Sequence, residues 1–177
     1  MNIHGNNVVL RAISLKDAKL LMELINDADT EKMLGGSSFP VSMEEQEKWI
    51  MDQNGKIDIL RSVVAKKDNE DDGLGTVILS DIDYKNGIAQ VHIKMSKNCR
   101  GAGYGADALN AIVAYAFNEL RINCIYANVL SYNEISQKLF QKVGFKRDGV
   151  LRSRVFKAGK FIDMYSYSLL KSDTNYD

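Results

Sequence analysis

Arg100-Gly101-Ala102-Gly103-Tyr104-Gly105 is the stretch that decides the fold, because it separates a strand pattern from the clearest helix pattern in the chain. Its glycines allow a tight turn and let successive main-chain amides come close to a ligand. Those amides, together with the positive end of the following helix dipole, form a site for an anion. Arg100 adds a positive charge at the start of the turn. The segment is therefore suited to a pyrophosphate.

The residues around this turn alternate between strand and helix patterns. After the turn, residues 106–120 carry an apolar stripe at helical spacing and predict a helix. This helix is followed by a strand (124–130) and by a helix that ends at Gly144 (135–143). Two strands joined at Ala158-Gly159 (145–156 and 161–170) complete the pattern. Before the turn, the predicted elements are a strand (8–12), a helix capped by Ser14, a loop around Pro40 (34–42), a helix capped by Ser42 and Glu45 (43–53), and three strands (59–66, 74–82 and 88–95).

This order of elements predicts an α/β (α+β) fold with one mixed, mostly antiparallel, seven-stranded sheet and helices on both faces. A charged turn is expected at 67–73 and a hairpin turn at Asn86-Gly87. With 177 residues, the chain is expected to form a single domain, 1–177, with its core at about 8–170 and a polar tail at 171–177.

Composition limits the classes of function. The chain has 23 Lys plus Arg and 23 Asp plus Glu, and this balance argues against binding to nucleic acid or to an anionic membrane. Cys99 and Cys124 match neither a disulfide framework nor a zinc pattern, so no metal is expected. The N-terminus lacks the features of a signal peptide and no apolar run reaches the length of a membrane span. We therefore expect a cytoplasmic protein.

The glycine turn has three possible interpretations. It can be a tight strand–helix turn without a ligand. Gly101, Gly103 and Ala106 also fit the G-x-G-x-x-A pattern of a dinucleotide fold, but the strand after the helix ends without the carboxylate that holds a ribose there. A P-loop is excluded because no Gly-Lys-Ser/Thr follows. The third interpretation is a site for coenzyme A.

Two segments, which occur in the order and spacing of two motifs of a known family, support the interpretation of the turn as a coenzyme A site. Arg100-x-x-Gly103-x-Gly105 resembles the pyrophosphate motif of the GNAT superfamily of acyl-CoA N-acyltransferases, and Asn133-x-x-Ser136-x-x-Leu139-Phe140-x-Lys142-x-Gly144-Phe145 resembles a second motif of that family. Gly149-Val150-Leu151-Arg152, with Ala158-Gly159-Lys160-Phe161-Ile162-Asp163 after it, is similar to the ribosomal-protein-alanine acetyltransferase branch. The resemblance implies a GNAT-like domain, splayed between its fourth and fifth predicted strands, with acetyl-CoA as cosubstrate.

The resemblance also implies roles for individual residues. The pyrophosphate would bind the turn, and the pantetheine arm would pair with the end of the fourth predicted strand. Asn133 would bond the cofactor beside its sulfur, although it is equally well placed to cap the last helix. The residues expected to bind the cofactor are Ile93, Lys94, Met95, Arg100, Gly101, Ala102, Gly103, Tyr104, Gly105, Asn133 and Phe140.

The proton-transfer groups depart from the family pattern. Phe140 stands where a proton-donating tyrosine is usual, and Ala89-Gln90 stand where a glutamate is often found. His92 is the best substitute base, with a packed strand histidine as the alternative. Asn133 and Ser136 complete the expected catalytic set, Ser136 as a donor to the thiolate. Asp81, Asp83 and Tyr165 are weaker candidates.

The acceptor is expected to be a primary amine, either a protein N-terminus or a small molecule such as an amino-sugar, polyamine or aminoglycoside. Its cleft would lie near residues 31–39 and 152–165, where Glu31 favours a cation and Arg152 or Arg154 a carboxylate. A non-catalytic acyl-CoA sensor and a nucleotide-dependent oxidoreductase stay open as alternatives. A homodimer formed through a sheet edge is also expected.

Overall fold

The computed structural model describes residues 1–36, 39–53 and 58–174. The strands are β1 (Ile3–His4), β2 (Val8–Ala12), β3 (Leu60–Lys66), β4 (Asn69–Asp83), β5 (Ile88–Met95), β6 (Cys124–Leu130), β7 (Lys146–Lys157) and β8 (Lys160–Leu170). The α-helices are α1 (Ala18–Asn26), α2 (Ala28–Lys32), α3 (Met43–Met51), α4 (Tyr104–Glu119) and α5 (Glu134–Val143). Short 3-10 turns occupy Leu15–Asp17, Lys97–Cys99 and Lys171–Asp173.

The strands form one mixed sheet in the order β1-β2-β3-β4-β5-β6-β8-β7. Every neighbouring pair is antiparallel except β5 and β6, which are parallel and are joined by the crossover through α4. Apolar side chains of α4 and α5 pack on one face of the sheet, and α1 and α3 cover the other face over β4 and β5. The predicted fold class, a mixed and mostly antiparallel sheet with helices on both faces, is confirmed.

The parallel pair separates soon after it begins. Only Ile88, Ala89 and Gln90 of β5 have partners on β6, and the last pair is Gln90 with Tyr126. Beyond this point β5 continues to Met95 and β6 to Leu130 without pairing to each other, although β5 stays paired with β4 and β6 with β8. The predicted splay between the fourth and fifth predicted strands is therefore present, and it leaves main-chain groups of both strands without ladder bonds.

The structure corrects four predicted elements. The sheet has eight strands instead of seven, because Ile3 and His4 pair with Leu10 and Val9. Helix α2 was missed inside a segment without helical periodicity, and it is capped by Asp27, which accepts from the amide of Thr30. The predicted turn at 67–73 is mostly strand, since β4 begins at Asn69. Residues 171–173 of the predicted tail form a 3-10 turn, while 175–177 lie outside the described residues.

The early start of β4 follows from how its acidic residues are paired. The Lys66 ammonium lies 2.5 Å from the Asp72 carboxylate, and Lys16 pairs with Asp71. The Arg11 guanidinium donates to the carbonyl of Glu70 at 2.7 Å. A charged run that looks like a solvated turn is therefore accommodated at the end of a strand, because cations of three other elements reach it.

The structure confirms several turns and helix caps that local sequence signals predict. Ser42 and Glu45 form the predicted capping box at the start of α3. Gly144 adopts φ +108° as the left-handed cap of α5, and Ala158 and Gly159 both have positive φ at the β7–β8 turn. Within the described residues, no helix combines the length and apolar character that a membrane crossing requires.

The N-terminal segment is held to α4 by one carboxylate. Asp107, in the first turns of α4, accepts from the amides of Asn6, Asn7 and Val8 at 2.9, 2.7 and 3.0 Å. Asp107 is only 9% exposed, and the bond to Val8 is buried, while Asn6 and Asn7 lie at the surface. This contact ties β1 and β2 to the helix that follows the glycine turn.

We expect Asp107→Ala to lower the free energy of unfolding by about 2–4 kcal/mol, because it leaves main-chain donors without a partner. Glu119→Ala, at an exposed position at the other end of α4, is the matched control and is expected to change stability little. Urea denaturation of both variants measures the difference. Equal stabilities would show that Asp107 does not anchor the N-terminal segment.

Candidate active site

The glycine turn forms an open cradle at the start of α4. Gly101 and Gly103 have φ values of +81° and +87°, which glycine adopts more readily than any other residue. A Cβ atom built on either glycine would have no neighbour within 4 Å, so the turn presents its backbone to open space. Gly103 is also the N-cap of α4, whose first amides lack partners within the helix. The turn therefore offers the geometry of an anion site.

A cavity of about 320 Å³ lies against this cradle, between the end of β5, α2 and α5. It is lined by nine of the residues predicted to belong to the site: Ile93, Lys94, Met95, Arg100, Gly101, Gly103, Gly105, Asn133 and Ser136. Ala102, Tyr104, Phe140 and His92 are not among its lining residues. The structure thus brings together the strand end, the glycine turn and the start of α5, which are distant in sequence.

The charges around this cavity suit a phosphorylated ligand. Among the described residues that line the cavity, four are cations and none is a carboxylate; the cations are Lys94, Arg100, Lys138 and Lys142. Lys138 and Lys142 lie one turn apart on α5 and are exposed. A cofactor with a diphosphate fits this arrangement, because cations and helix N-terminal amides both stabilise phosphate oxygens. The residues present therefore match coenzyme A.

Several lining residues were missed from the sequence. Thr30, Met33 and Leu34 come from α2 and the residues after it, where no periodic pattern revealed a helix. Lys138 and Lys142 were not selected, although their spacing of four residues on a predicted helix indicates a shared face. That spacing was the available signal for these two lysines.

Arg100 connects two elements instead of pointing freely into the cavity. Its Nε donates to the carbonyl of Met95 at 3.1 Å, and its Nη2 donates to the hydroxyl of Thr30 at 2.9 Å. Thr30 is buried and belongs to α2. Arg100 therefore holds α2 against the end of β5 and also places a positive charge at the cavity.

Asn133 caps α5 and binds the segment after α2. Its Oδ1 accepts from the amide of Ser136 at 3.1 Å, and its Nδ2 donates to the carbonyl of Met33 at 3.0 Å. The side chain is 6% exposed and lines the cavity. The capping role expected as one alternative is thus present, and one proton of Nδ2 stays available for a ligand.

Phe140 occupies a position in the core. It is 4% exposed and packs edge-on against Phe145, with ring centroids 5.1 Å apart. The expected contact with a cofactor has no counterpart in the cavity lining. Ser136, one turn earlier on α5, does face the cavity and is half-buried.

His92 lies on β5, two residues past the last pair with β6, and it belongs to a hydrogen-bonded chain. Its Nε2 is 2.9 Å from the hydroxyl of Ser80, and that hydroxyl donates to the carboxylate of Asp81 at 3.2 Å. An ionised carboxylate only accepts, and serine has one hydroxyl proton. With this proton assigned to Asp81, the tautomer that completes the chain has Nε2 of His92 donating to Ser80 and Nδ1 unprotonated.

The backbone at Asp81 is shaped for this chain. Asp81 has φ +50° and lies in the bulge between Ser80 and Asp83 where the β4–β5 register shifts. Bulges of this kind redirect side chains, and they are common beside active sites. Asp83, by contrast, accepts from the amides of Lys85 and Asn86 and shapes the hairpin turn. Tyr165 stacks under the Arg147 guanidinium at 4.5 Å.

The surroundings of His92 and Lys94 favour their neutral forms. The His92 side chain is exposed at the surface, but the protein atoms around its ring partly desolvate it and lower its pKa below the ordinary value; the Asp81 carboxylate opposes this shift, and the Lys94 ammonium adds to it. Burial also lowers the pKa of Lys94, with Glu31 opposing. A lowered pKa keeps the His92 imidazole unprotonated, and able to accept a proton, at more acidic pH.

A second cavity, of about 420 Å³, lies on the opposite side of β5, under α1 and α3. Lys94 lines both cavities. Thr76 and Ile78, in its floor, are the β4 partners of Lys94 and His92. A third cavity surrounds Arg152 and Arg154 at the β7 bulge and has no lining residue in common with the other two.

Comparison with known proteins decides the family. A model described as "Acetyltransferase (GNAT) domain" matches residues 7–146, most of the chain. The chain belongs to the GNAT acetyltransferase family. The chain is accordingly an acetyl-CoA-dependent acyltransferase, and the family that its sequence motifs resemble is confirmed.

Relatives and solved structures agree with this assignment. The chain is 28% identical to N-acetyltransferase p20 of Bacillus licheniformis over 97% of both chains. It is 28% identical to the "Putative ribosomal N-acetyltransferase YdaF" of Bacillus subtilis, over 96% of this chain and 94% of that one. Spermidine N-acetyltransferase from Vibrio cholerae, in complex with CoA and spermine, shares the fold with a TM-score of 0.86 and 23% identity, over 94% of this chain and 97% of that one.

We expect Gly101→Glu to weaken acetyl-CoA binding by at least ~100-fold, because the new side chain fills the cradle and its charge repels the diphosphate. Gly159→Glu is the matched control, since Gly159 has the same φ of +81° and equally open space. Calorimetric titration with acetyl-CoA measures both affinities. Unchanged binding in the Gly101 variant would place the diphosphate elsewhere.

Proposed function

We propose that this enzyme transfers the acetyl group of acetyl-CoA to a primary amine, either a protein N-terminus or a small molecule, with His92 as the general base. The observation that carries the proposal is the position of His92 just past the separation of β5 and β6, with its Nε2 hydrogen-bonded to Ser80, which assigns proton acceptance to Nδ1. Because acetyl-CoA is the cosubstrate, we place the reaction in the cytoplasm.

In the proposed binding mode, the amides of residues 101–105 hold the diphosphate, and Lys138 and Lys142 flank it. The pantetheine arm pairs with Ile93, Lys94 and Met95, where β5 lacks a partner on the side of β6. One of these amides can also donate to the thioester carbonyl as negative charge develops on its oxygen. The unpaired strand end and the cations of the cavity support this mode.

In the proposed reaction, the amine must lose a proton before it attacks, since a primary alkylamine has a pKa near ~10. This proton passes to Nδ1 of His92, while the Ser80–Asp81 chain stabilises the imidazolium. The amine nitrogen then forms a bond to the acetyl carbon, and the C–S bond breaks. The second nitrogen proton ends on the departing sulfur, which needs little help because a thiol has a pKa near ~8.5.

Asn133 and Ser136 are proposed to assist at the sulfur. Both line the cavity at the start of α5, on the side opposite β5. The Ser136 hydroxyl can donate to the thiolate, and the remaining proton of Asn133 Nδ2 can bond the pantetheine beside it. Their capping interaction fixes both residues in place.

The competing function is a non-catalytic acyl-CoA sensor, which the burial of Phe140 in the core keeps open. A single assay separates the two functions: release of free CoA thiol from acetyl-CoA in the presence of a panel of primary amines. Amine-dependent release together with acetylated product is expected. Binding of acetyl-CoA without turnover on any amine would favour the sensor.

The pH dependence tests His92. Because the folded pKa of His92 is lowered, its base form persists below pH ~6.5, and the acidic limb of kcat/KM is expected below that value. Asp81→Asn removes a charge that raises this pKa, so the limb should move to still lower pH. Lys94→Met removes a charge that lowers it, so the limb should move to higher pH.

His92→Ala is expected to reduce acetyl transfer most at low pH, where little free amine is present, and least as pH approaches the pKa of the amine. Acetyl-CoA affinity, measured by calorimetry, should stay unchanged in this variant. A profile identical to that of the unmodified enzyme would remove His92 from the mechanism.

A further inference from the structure

The second cavity, under α1 and α3, is mainly apolar and reaches Lys94 at the end of β5. We infer that it is the acceptor pocket, and that it takes a primary amine with one positive charge and a bulky apolar group rather than a polyamine. This inference rests on the proposed function, since it names the class of amine that His92 would deprotonate.

The cavity adjoins the reaction centre from the side opposite the cofactor. Lys94 lines both cavities, so only the end of β5 separates them. Ile78 of the cavity floor pairs directly with His92 across the β4–β5 ladder. His92 is not a lining residue of either cavity, so an amine in this cavity would meet the base at the Ile78 edge of the floor, with the thioester beyond the strand end.

The lining of this cavity is mainly apolar. The apolar residues come from α1, α3, the segment before α3, β4 and the residue that follows β2: Ile13, Leu21, Leu24, Ile25, Phe39, Pro40, Val41, Trp49 and Ile78. The polar or charged lining residues are Glu45, Gln46, Thr76 and Lys94. A volume of about 420 Å³ accommodates a side chain of leucine or phenylalanine size together with its amine. An apolar substituent would be favoured here by removal of its surface from water.

The carboxylates near the cavity are already engaged. Glu45, in its lining, accepts from the amide of Ser42 at 2.9 Å as part of the capping box. Glu31 pairs with Lys157 at 2.6 Å, and Asp27, two residues after Ile25, pairs with Lys97 at 2.7 Å. A polyamine would have to compete with Lys157 for Glu31 or with Lys97 for Asp27, and Glu45 at the cavity edge is the one lining carboxylate that could meet a second ammonium group without breaking an ion pair.

Lys94 further favours amines with one positive charge over polyamines. It is the only cation among the described residues that line the cavity, and it lies at the junction with the cofactor site. Additional ammonium groups of a polyamine would be repelled by Lys94 whenever it is protonated. The relative crystallised with spermine shares the fold at 23% identity, a level at which the chemistry of the acceptor pocket differs freely.

The test compares 2-phenylethylamine with spermidine as acceptors. We expect kcat/KM for 2-phenylethylamine to exceed that for spermidine by at least ~10-fold, the range that one apolar group contributes in a fitted pocket. Higher kcat/KM for spermidine would overturn the inference while leaving the proposed acetyltransferase activity intact.

Variants at Ile25 locate the pocket. Ile25 is half-buried on α1 and lines the cavity. Ile25→Trp fills it and should raise KM for 2-phenylethylamine at least ~10-fold, with KM for acetyl-CoA unchanged. Ile25→Glu adds an unpaired carboxylate and should lower KM for spermidine. Met51→Trp and Met51→Glu, at an exposed position of α3 outside the lining, are the matched controls and should change neither value.

A binding measurement keeps the two proposals distinguishable. Calorimetric titration of 2-phenylethylamine into the protein saturated with CoA should give a signal that Ile25→Trp abolishes and Met51→Trp preserves. If this holds while no amine is acetylated, the pocket stands and the proposed function fails. If amines are acetylated and Ile25→Trp has no effect on binding or KM, the pocket assignment fails. Thermal unfolding confirms that each variant is folded.

Discussion

The separation of β5 from β6 is the constraint on which the site depends. After the pair Gln90–Tyr126 the two strands part, although both continue for several residues. A sheet normally satisfies its main-chain groups through ladder bonds, and groups left unpaired need other partners. Here the stretch of β5 that has no partner on the side of β6 borders a cavity that is lined by the glycine turn and by cations. The same separation exposes opposite faces of β5 to two cavities, with Lys94 at their junction.

Packing on the two sides of this gap keeps it open. On one side, Gly75 of β4 lies so close to β5 that a Cβ atom would come within 2.1 Å of the Lys94 carbonyl. On the other side, α5 is fixed by Phe140 and Phe145 in the core and by the Asn133 cap. Phe140 thus contributes to the position of α5, and the proposed mechanism assigns proton transfer to groups on β4 and β5 instead. The Asp81–Ser80–His92 chain lies on those strands, beside the gap.

Whether an element could be predicted from the sequence depends on how far apart in the chain its interacting residues lie. The glycine turn, the Ser42 cap and the left-handed Gly144 are local signals, and each was placed correctly. Strand β1 and helix α2 are too short for periodicity, and they exist because of partners about 100 residues away, such as Asp107 for the N-terminal amides. The hydrogen bond between Ser80 and His92 needed the β4–β5 register with its bulge, which no spacing rule supplies. For the same reason, Phe140 was expected at the cofactor while the structure places it in the core.

The central claim is that the diphosphate, more than the pantetheine arm, anchors the cosubstrate at the glycine turn. Calorimetric titration of the unmodified protein and of Gly101→Glu with CoA and with pantetheine, which lacks the diphosphate together with the 3′-phosphoadenosine, tests this directly. The account predicts that the unmodified protein binds CoA at least ~100-fold more tightly than pantetheine, and that Gly101→Glu removes most of this difference, since charge-assisted contacts to the diphosphate are lost. Equal affinities for the two molecules would contradict it.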